Sequence, residues 1–353
     1  MRRPTGSTDR RNYAETRTNY IRQMSEIPLV DLAPWFSGDH HARARVANEV
    51  DSHLQRLGFL VVVNHGIAAD LIERCRAEAL AFFHLSIEEK SGCAMDLGED
   101  DAYRGWVSAG LESTAATYGL DMLPDLRESF TCGPVVVPDP ALRQRAPRWF
   151  APNVWPPGRP AFQQRAEEWW IAARDLADEL LDIFSLALDL PRTYLRDKCT
   201  ATTADATFNY YMPRSDLAPA PGQFRIGPHT DFGTLTILNR QPGAGCLQVL
   251  NETGTWIDAP DVPDSLVINT GDLMRQWTND RWESNQHRVL PPPETHPDEE
   301  LLSLVFFHEP NFDTQISVLD TCVSAGRPPR YAPISAADYL ATKMDALAVD
   351  TTP

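Results

Sequence analysis

Cysteine is scarce in this sequence, and closely spaced cysteines are absent. Six cysteines are spread over 353 residues without any CxxC pair. Zinc clips and the disulfide frameworks of small secreted domains both require cysteines that are close together. We therefore expect the cysteines to be small core residues of a protein that works in a reducing compartment.

Long apolar runs are absent as well. No apolar stretch approaches the ~20 residues that a transmembrane helix requires. The N-terminal stretch contains arginine pairs but no apolar segment behind them, which is not the pattern of an export signal. We expect residues 1–26 to form a flexible basic tail, and the protein to be cytoplasmic with no membrane contact.

Basic residues are in the minority. There are 32 of them against 49 acidic residues, which gives a formal net charge of −17. A surface of this sign repels phosphate backbones. We therefore expect a small-molecule substrate and no nucleic-acid partner.

The first structured part of the chain alternates strand and helix patterns. The stretches IPLVDL and FLVVVNHG predict short strands, and residues 42–58 and the stretch AADLIERCRAEALAFFHL predict amphipathic helices. Residues 91–160 are irregular and rich in Gly and Pro, as is typical of long loops that line or cover a site. We predict an N-terminal α/β region over residues 27–140. A linker and a long support helix, ended by Pro191, should follow over residues 141–199.

The remainder of the chain is dominated by strand patterns. From residue 206, apolar residues alternate in short segments that Gly, Pro, Asn and Asp separate. This pattern predicts a mainly β fold with flanking helices, in which residues 200–315 form an antiparallel sandwich or barrel, a jelly roll being one way to close it. The C-terminal segment, residues 316–353, should carry a terminal helix with Ser335 as its N-cap.

A candidate metal site lies at the head of one predicted strand, in the stretch GPHTDFGTLTI. Side chains alternate along a strand, so His229 and Asp231 project to one face. Two polar residues at the start of a strand are the alternative interpretation. His287 begins a later predicted strand and could lie beside them in a closed sandwich. Two imidazoles and one carboxylate on one face of an octahedral ion suit Fe(II) that must also bind oxygen.

Several ordered motifs, taken together, resemble one enzyme family. IPLVDL, LGFLVVVNHGI and FFHLSIEEK are similar to the N-terminal region of the isopenicillin N synthase-like oxygenases. NYYMP, GPHTDFGTLTIL, GCLQVLNETGTWIDAPDVPDSLVINTGDLMRQWTND, NQHRVLPP and LSLVFFHEPN are similar to the iron- and 2-oxoglutarate-binding domain of that family. The resemblance implies a double-stranded β-helix, which is a distorted jelly roll, with His229, Asp231 and His287 as ligands of Fe(II).

The resemblance also implies the reaction. Family members couple the oxidative decarboxylation of 2-oxoglutarate by O2 to hydroxylation, desaturation or cyclisation of a small molecule, and specialised metabolism is one setting for such chemistry. The protein mainly positions its ligands, so no catalytic residue beyond the metal centre is expected. Two alternatives stay open: an iron oxidase of the isopenicillin N synthase type that needs no 2-oxoglutarate, and a non-catalytic binding protein on the same scaffold.

The co-substrate half of the site departs from the family pattern. By resemblance, Asn209 and Tyr211 lie near the iron-bound end of 2-oxoglutarate, although a tyrosine on a strand can also be a plain core residue. The family binds the distal carboxylate with an Arg-x-Ser pair, of which this sequence keeps Ser303 and replaces the arginine with Leu301. A buried carboxylate needs a partner. Arg225 shares the strand parity of His229 and is our first candidate for that partner.

Other interpretations of the co-substrate half remain open. Arg275 is the next candidate cation, and Arg225 could instead be an arginine that pairs with a neighbouring acid. For the substrate we predict contacts from Tyr103 and Arg104, in the irregular segment, and from Phe307, which shares the parity of Ser303. An aromatic residue on an inner strand face can equally be ordinary core.

Overall fold

The structure is a computed structural model that describes residues 26–96 and 102–347. The predicted tail lies outside the described residues, except for Glu26. The strands, in chain order, are β1 Leu29–Asp31, β2 Phe59–Val63, β3 Gly105–Val107, β4 Glu128–Cys132, β5 Asp205–Tyr211, β6 Ile226–His229, β7 Leu235–Asn239, β8 Leu247–Leu250, β9 Trp256–Asp258, β10 Ser265–Thr270, β11 His287–Val289, β12 Leu301–His308, β13 Gln315–Ile316 and β14 Ile334–Ser335. The helices are α1 Ala33–Ser37, α2 His40–Arg56, α3 Ala69–Phe83, α4 Ile87–Ser91, α5 Leu142–Arg145, α6 Pro160–Ala187, α7 Asp272–Trp277 and α8 Ala336–Met344, with 3₁₀ turns at Thr114–Tyr118, Arg196–Lys198 and Asp320–Cys322.

Two sheets form the core of the fold. The larger has eight strands in the order β1-β2-β10-β7-β12-β5-β4-β3, and the smaller has four in the order β6-β11-β8-β9. All pairs except β1 with β2 are antiparallel. The mainly β fold with flanking helices and a jelly-roll core is therefore confirmed.

The N-terminal region is part of the larger sheet. Strand β2 pairs with β10 from Ser265↔Val63 to Asn269↔Phe59. Gly58, just before β2, has a positive φ of 68°, and a Cβ there would lie 2.2 Å from the carbonyl oxygen of Glu283. Only glycine tolerates both conditions. The entry into β2 is thus closely fitted to the chain that precedes β11.

Helix α6 lies on the outer side of the larger sheet, as the predicted support helix would. It packs against α2 and α3 and contacts β12. Its buried side chains include Trp170, whose indole N–H donates to the carbonyl of Ala204 at 3.0 Å and whose ring lies edge-on to Phe306. A buried indole needs such a partner for its N–H.

The irregular interpretation of residues 91–160 was wrong in part. Strands β3 and β4 lie within this segment and extend the larger sheet beyond β5. They are short and flanked by Gly and Pro, so local periodicity does not reveal them. The ladder of β4 with β5, from Glu128↔Tyr210 to Cys132↔Ala206, and the pairing of β3 with β4 stabilise them.

The predicted terminal helix exists as α8, with Ser335 at the N-cap position, but the Ser335 side chain makes no capping hydrogen bond. Among the described residues, no helix combines the length and apolarity that crossing a bilayer requires. All six cysteines are free thiols, and all except the half-buried Cys246 are buried.

Candidate active site

Two side chains from neighbouring strands and one from the chain that follows the first strand converge between the sheets. Strand β6 ends at His229, strand β11 begins at His287, and these two residues are direct partners in the register of the pair. Asp231 follows β6 by two residues. All three residues are buried, and one ligand atom from each lies within 4.8 Å of the other two. The strand pairing therefore joins ligands that are far apart in sequence.

Backbone carbonyls orient both imidazoles. The Nδ1 of His229 lies 2.8 Å from the carbonyl oxygen of Gly227, and the Nδ1 of His287 lies 3.3 Å from that of Asn285. A carbonyl can only accept, so each Nδ1 carries the proton and each Nε2 keeps its lone pair. The two Nε2 atoms lie 3.7 Å (His229) and 3.5 Å (His287) from Oδ1 of Asp231.

Hydrogen bonds to Oδ2 orient the Asp231 carboxylate. Its Oδ2 accepts hydrogen bonds from Thr236 Oγ1 and from Asn269 Nδ2, the latter at 2.7 Å. Oδ1 is left facing the two imidazoles. Burial acts to raise the pKa of Asp231, but the two imidazoles and the two hydrogen bonds outweigh burial and hold the pKa below its usual value.

These residues fit a resident Fe(II) ion. Burial, and next the proximity of His287, lower the pKa of His229 to about 3, so its ring is neutral at physiological pH. Neutral imidazole nitrogens and an ionised carboxylate oxygen on one side of a point form the facial set typical of non-haem Fe(II) oxygenases. The hydrogen bonds behind the ligands are the supporting contacts that such sites require. Within the described ranges, this is the one group of three or more potential metal ligands.

A first cavity opens from the three ligands along the space between the sheets. The predicted co-substrate residues Asn209, Tyr211 and Ser303 all line it, and so does Leu301. Much of the remaining wall is apolar. The structure therefore brings these four residues and the metal ligands to one cavity.

Arg225 does not reach this cavity. It is buried, and its Nη1 pairs with Oε1 of Glu299 at 2.8 Å while its Nη2 donates to the Glu299 carbonyl at 3.0 Å. Its guanidinium also lies over the Tyr211 ring, 5.3 Å from the centroid. The pairing with a neighbouring acid, which the sequence left open, is what the structure contains. Arg275 is likewise paired, with Asp280 at 2.8 Å, and does not line the cavity.

A second cavity lies on the other side of the ligands, and it also contacts His229 and Asp231. Its polar lining includes carboxylates, several threonine hydroxyls and one guanidinium, and α8 covers one side of it. Its lining residues include Glu112, Arg127, Thr203, Asp205, Glu309 and Met344.

The predicted substrate residues have different positions relative to the second cavity. Tyr103 lines it, and its hydroxyl donates to the Met344 carbonyl at 2.9 Å. Phe307 lines both cavities. Arg104 does not line it; its guanidinium instead pairs with Asp205 at 2.9 Å and so holds a carboxylate of the cavity wall in place.

The chain is similar to known proteins over most of its length. A family model described as the N-terminal region of non-haem dioxygenase in morphine synthesis matches residues 27–158, and that of the 2OG-Fe(II) oxygenase superfamily matches residues 204–310. Validamycin A dioxygenase of Streptomyces hygroscopicus subsp. limoneus is 34% identical over 302 residues, which cover 85% of this chain and 81% of that protein. The chain belongs to the 2OG-Fe(II) oxygenase superfamily.

Two further similarities agree with this assignment. The 2-oxoglutarate-Fe(II) type oxidoreductase hxnY of Emericella nidulans is 30% identical to the oxygenase over 317 residues, 89% of this chain and 88% of that protein. The crystal structure of a full-length Neurospora crassa protein in complex with alpha-KG and thymine superposes with a TM-score of 0.78 at 25% identity, covering 91% of this chain and 96% of that one. The resemblance to isopenicillin N synthase-like oxygenases is thereby confirmed.

The oxygenase is a non-haem dioxygenase that uses Fe(II), 2-oxoglutarate and O2. The family assignment favours the 2-oxoglutarate-dependent reaction over the two alternatives that the sequence left open. The His-Asp-His site that such an enzyme needs is present.

Sequence reasoning missed most of the polar wall of the second cavity. Glu112 and Arg127 lie in the segment that was interpreted as irregular, and Glu309 follows β12. It also missed Arg240, which follows β7 and lines the first cavity. Strand parity could have identified Arg240, because it lies two and four residues after the cavity-lining Leu238 and Thr236.

Proposed function

We propose that the oxygenase binds Fe(II) through His229, Asp231 and His287 and oxidises a small polar molecule held in the second cavity. The observation that carries this proposal is that the two cavities meet at His229 and Asp231. One cavity can hold the co-substrate and the other the substrate, both within reach of one metal ion.

The residues of the chain contribute by orienting the metal ligands. When bound, Fe(II) and 2-oxoglutarate supply the oxidising chemistry, which couples substrate oxidation to the formation of succinate and CO2. The carbonyls of Gly227 and Asn285 keep both Nε2 lone pairs directed at the metal position. Asn269 and Thr236 do the same for Oδ1 of Asp231.

The polarity of the second cavity indicates the kind of substrate. Oε2 of Glu309 and Oγ1 of Thr203 are buried and have no hydrogen-bond partner among the described residues. Burying such groups unpaired is costly, so a ligand that pairs with them gains affinity. A small molecule with hydroxyl or amino groups meets this need. The names of similar proteins support small-molecule substrates in general: one is named for validamycin A, and the Neurospora crassa crystal contains thymine.

Metal binding tests the ligand assignment. Replacing His287 with Ala should weaken Fe(II) binding by more than about tenfold, because even supporting residues around a metal contribute 10- to 100-fold. The visible band that Fe(II) and 2-oxoglutarate form in the absence of oxygen should vanish with it. His296→Ala, in an exposed loop, is the matched control and should keep both. Unchanged iron affinity in His287→Ala would contradict the assignment.

Succinate release tests the substrate class. Compounds of similar size should be compared, some rich in hydroxyl or amino groups and some purely apolar. The polar set should stimulate succinate formation in the parent protein. Stimulation by the apolar set alone would refute the proposed substrate class without affecting the metal assignment.

We also propose a cytoplasmic location, supported by the six free cysteines, since thiols stay reduced there. The net charge of −17 supports the expectation that nucleic acid is not a partner. Cell fractionation and a nucleic-acid retention assay check these two points.

A further inference from the structure

A basic residue that the family resemblance does not predict lines the first cavity. Of the described residues, Arg240 is the only lysine or arginine that lines it. Leu301, which stands where the family has its arginine, presents an apolar side chain to the same cavity. The first cavity is therefore lined by a basic residue, but one that follows a different strand, β7.

The register of the larger sheet explains how the Arg240 side chain can reach the region beside Leu301 and Ser303. Strands β7 and β12 pair with Phe307 opposite Thr236 and Val305 opposite Leu238, and all four side chains line the first cavity. The last pair is Leu304↔Asn239. One step further places Arg240 opposite Ser303, with Leu301 as its diagonal neighbour. Diagonal neighbours are within reach of a long side chain.

The Arg240 guanidinium is held in place but is not neutralised. Its Nη2 donates to the carbonyls of Ala259, at 2.8 Å, and Pro260, at 2.5 Å. In the described part of the chain no carboxylate forms an ion pair with it, and no acceptor binds Nε or Nη1. Arg225, in contrast, forms an ion pair with the Glu299 carboxylate and also donates to the Glu299 carbonyl. Burial lowers the pKa of Arg240, and nearby acids offset only part of that cost.

We propose that Arg240 binds the distal carboxylate of 2-oxoglutarate in place of the arginine that Leu301 replaces. This inference rests on the proposed function, because it assumes that the 2-oxo acid end of the co-substrate lies at His229, Asp231 and His287. The apolar wall then contacts the methylene groups, while Ser303 and the free N–H groups of Arg240 receive the second carboxylate. A guanidinium is well suited to bind a carboxylate through two hydrogen bonds.

The test compares two ligands by the charge-transfer band of the anaerobic Fe(II) protein. 2-Oxovalerate has the same 2-oxo acid end as 2-oxoglutarate but lacks the distal carboxylate. In the parent, 2-oxoglutarate should bind more tightly by about 10- to 100-fold, the range of one charge-assisted bond. In Arg240→Gln this preference should collapse, with 2-oxovalerate binding unchanged. Arg275→Gln, which removes the same charge outside the cavity, should keep the preference.

A rescue variant sharpens the test. Arg240→Leu combined with Leu301→Arg returns the guanidinium to the family position and should restore tight 2-oxoglutarate binding. Circular dichroism checks that each variant is folded.

The possible failures are distinguishable. If Arg240→Gln keeps the full preference for 2-oxoglutarate, the inference is overturned, and loss of the preference in Arg225→Gln would identify the other arginine as the anchor. If the parent shows no band with either 2-oxo acid, it is the proposed function that fails.

Discussion

At the scale of single residues, the effect of a buried polar group without a hydrogen-bond partner depends on whether it lines a cavity or lies in the packed core. Around the second cavity they favour ligand binding, whereas in the packed core they restrict protonation. His308, at the end of β12, belongs to the second kind because it is fully buried. The Thr234 hydroxyl donates to the His308 carbonyl and accepts from Nδ1 at 2.8 Å, so Nε2 must stay unprotonated.

This arrangement predicts that the free energy of unfolding decreases at acidic pH. Burial, and next the charge of Arg174, lower the pKa of His308 to about 3 from its usual 6.5. The unfolded chain therefore takes up the proton more readily, so the associated stability is present above pH 6.5 and is lost as the pH falls from 6.5 towards 3. Between pH 7 and pH 5 the loss should be about 1–2 kcal/mol. Urea unfolding of His308→Gln at both pH values should show a smaller difference than the parent.

The exposed His296 provides the control for this prediction. His296→Gln should keep the acid sensitivity of the parent. An equal pH dependence in His308→Gln and in the parent would mean that His308 is not the group responsible.

At the scale of elements, helix α8 closes the second cavity. Leu340 and Met344 of the helix and Leu347 just after it line the cavity, and the Tyr339 hydroxyl fixes the helix by donating to Oδ2 of Asp272 at 2.6 Å. None of these residues lines the first cavity. The helix should therefore serve substrate binding and water exclusion, and not co-substrate binding.

Deleting residues 336–353 should separate these two roles. KM for the substrate should rise by more than about tenfold, since an open site loses both contacts and water exclusion. The Fe(II)–2-oxoglutarate band should form as in the parent. Met344→Asp, which changes only the wall, should show the same pattern more weakly. Loss of the band in the Met344→Asp variant would show that the helix also organises the metal site.

Some secondary-structure elements can be predicted from the sequence, and others cannot. Strands β5, β7, β10 and β12 and helix α6 carry their own periodicity, and they lie where the sequence predicts them. The strand predicted to start at the candidate metal ligands was wrong in part, because β6 ends at His229 and β7 begins only at Leu235. Strands β3 and β4 carry no such signal. The hydrogen bonds that define β4 come from β5, more than 70 residues later, and a local pattern does not contain information about so distant a partner.

At the scale of the whole molecule, the N-terminal region and the jelly roll share one sheet and one core. Strand β2 lies between β1 and β10, and Leu60 and Val62 belong to the same apolar cluster as Ile237 and Leu304. Residues 27–90 thus have no separate core of their own. This continuity predicts that residues 27–90 and 200–312 fold as one body.

Equilibrium unfolding tests this expectation. Tryptophan fluorescence and far-UV circular dichroism should report one transition with a common midpoint, because neither region can unfold without exposing the core of the other. A fragment that starts at residue 200 should be unfolded when expressed alone. Two separated transitions, or a folded fragment, would show that the regions are independent.

The sequence by itself predicted the candidate metal ligands and the face on which Asn209 and Tyr211 lie. Strand alternation is a local property with a period of two, so the shared face of Asn209 and Tyr211 on β5 can be deduced without knowing the fold. For His229 and Asp231 the premise of the same argument was wrong, because β6 ends at His229 and Asp231 lies between β6 and β7. The motif resemblance then supplied His287. In the structure, the three candidate metal ligands, Asn209 and Tyr211 all line the first cavity.

Only the tertiary structure decided the partners of the two arginines. Parity indicates which face of a strand a residue occupies, but not which neighbour it meets there. Arg225 has the expected inward parity, yet Glu299, which is 74 residues away in sequence, lies beside it and pairs with it. The β7–β12 register, which ends at Leu304↔Asn239, places Arg240 opposite Ser303 when it is extended by one pair. Charge pairing depends on distances of a few ångströms, and those distances are set by how strands far apart in sequence align.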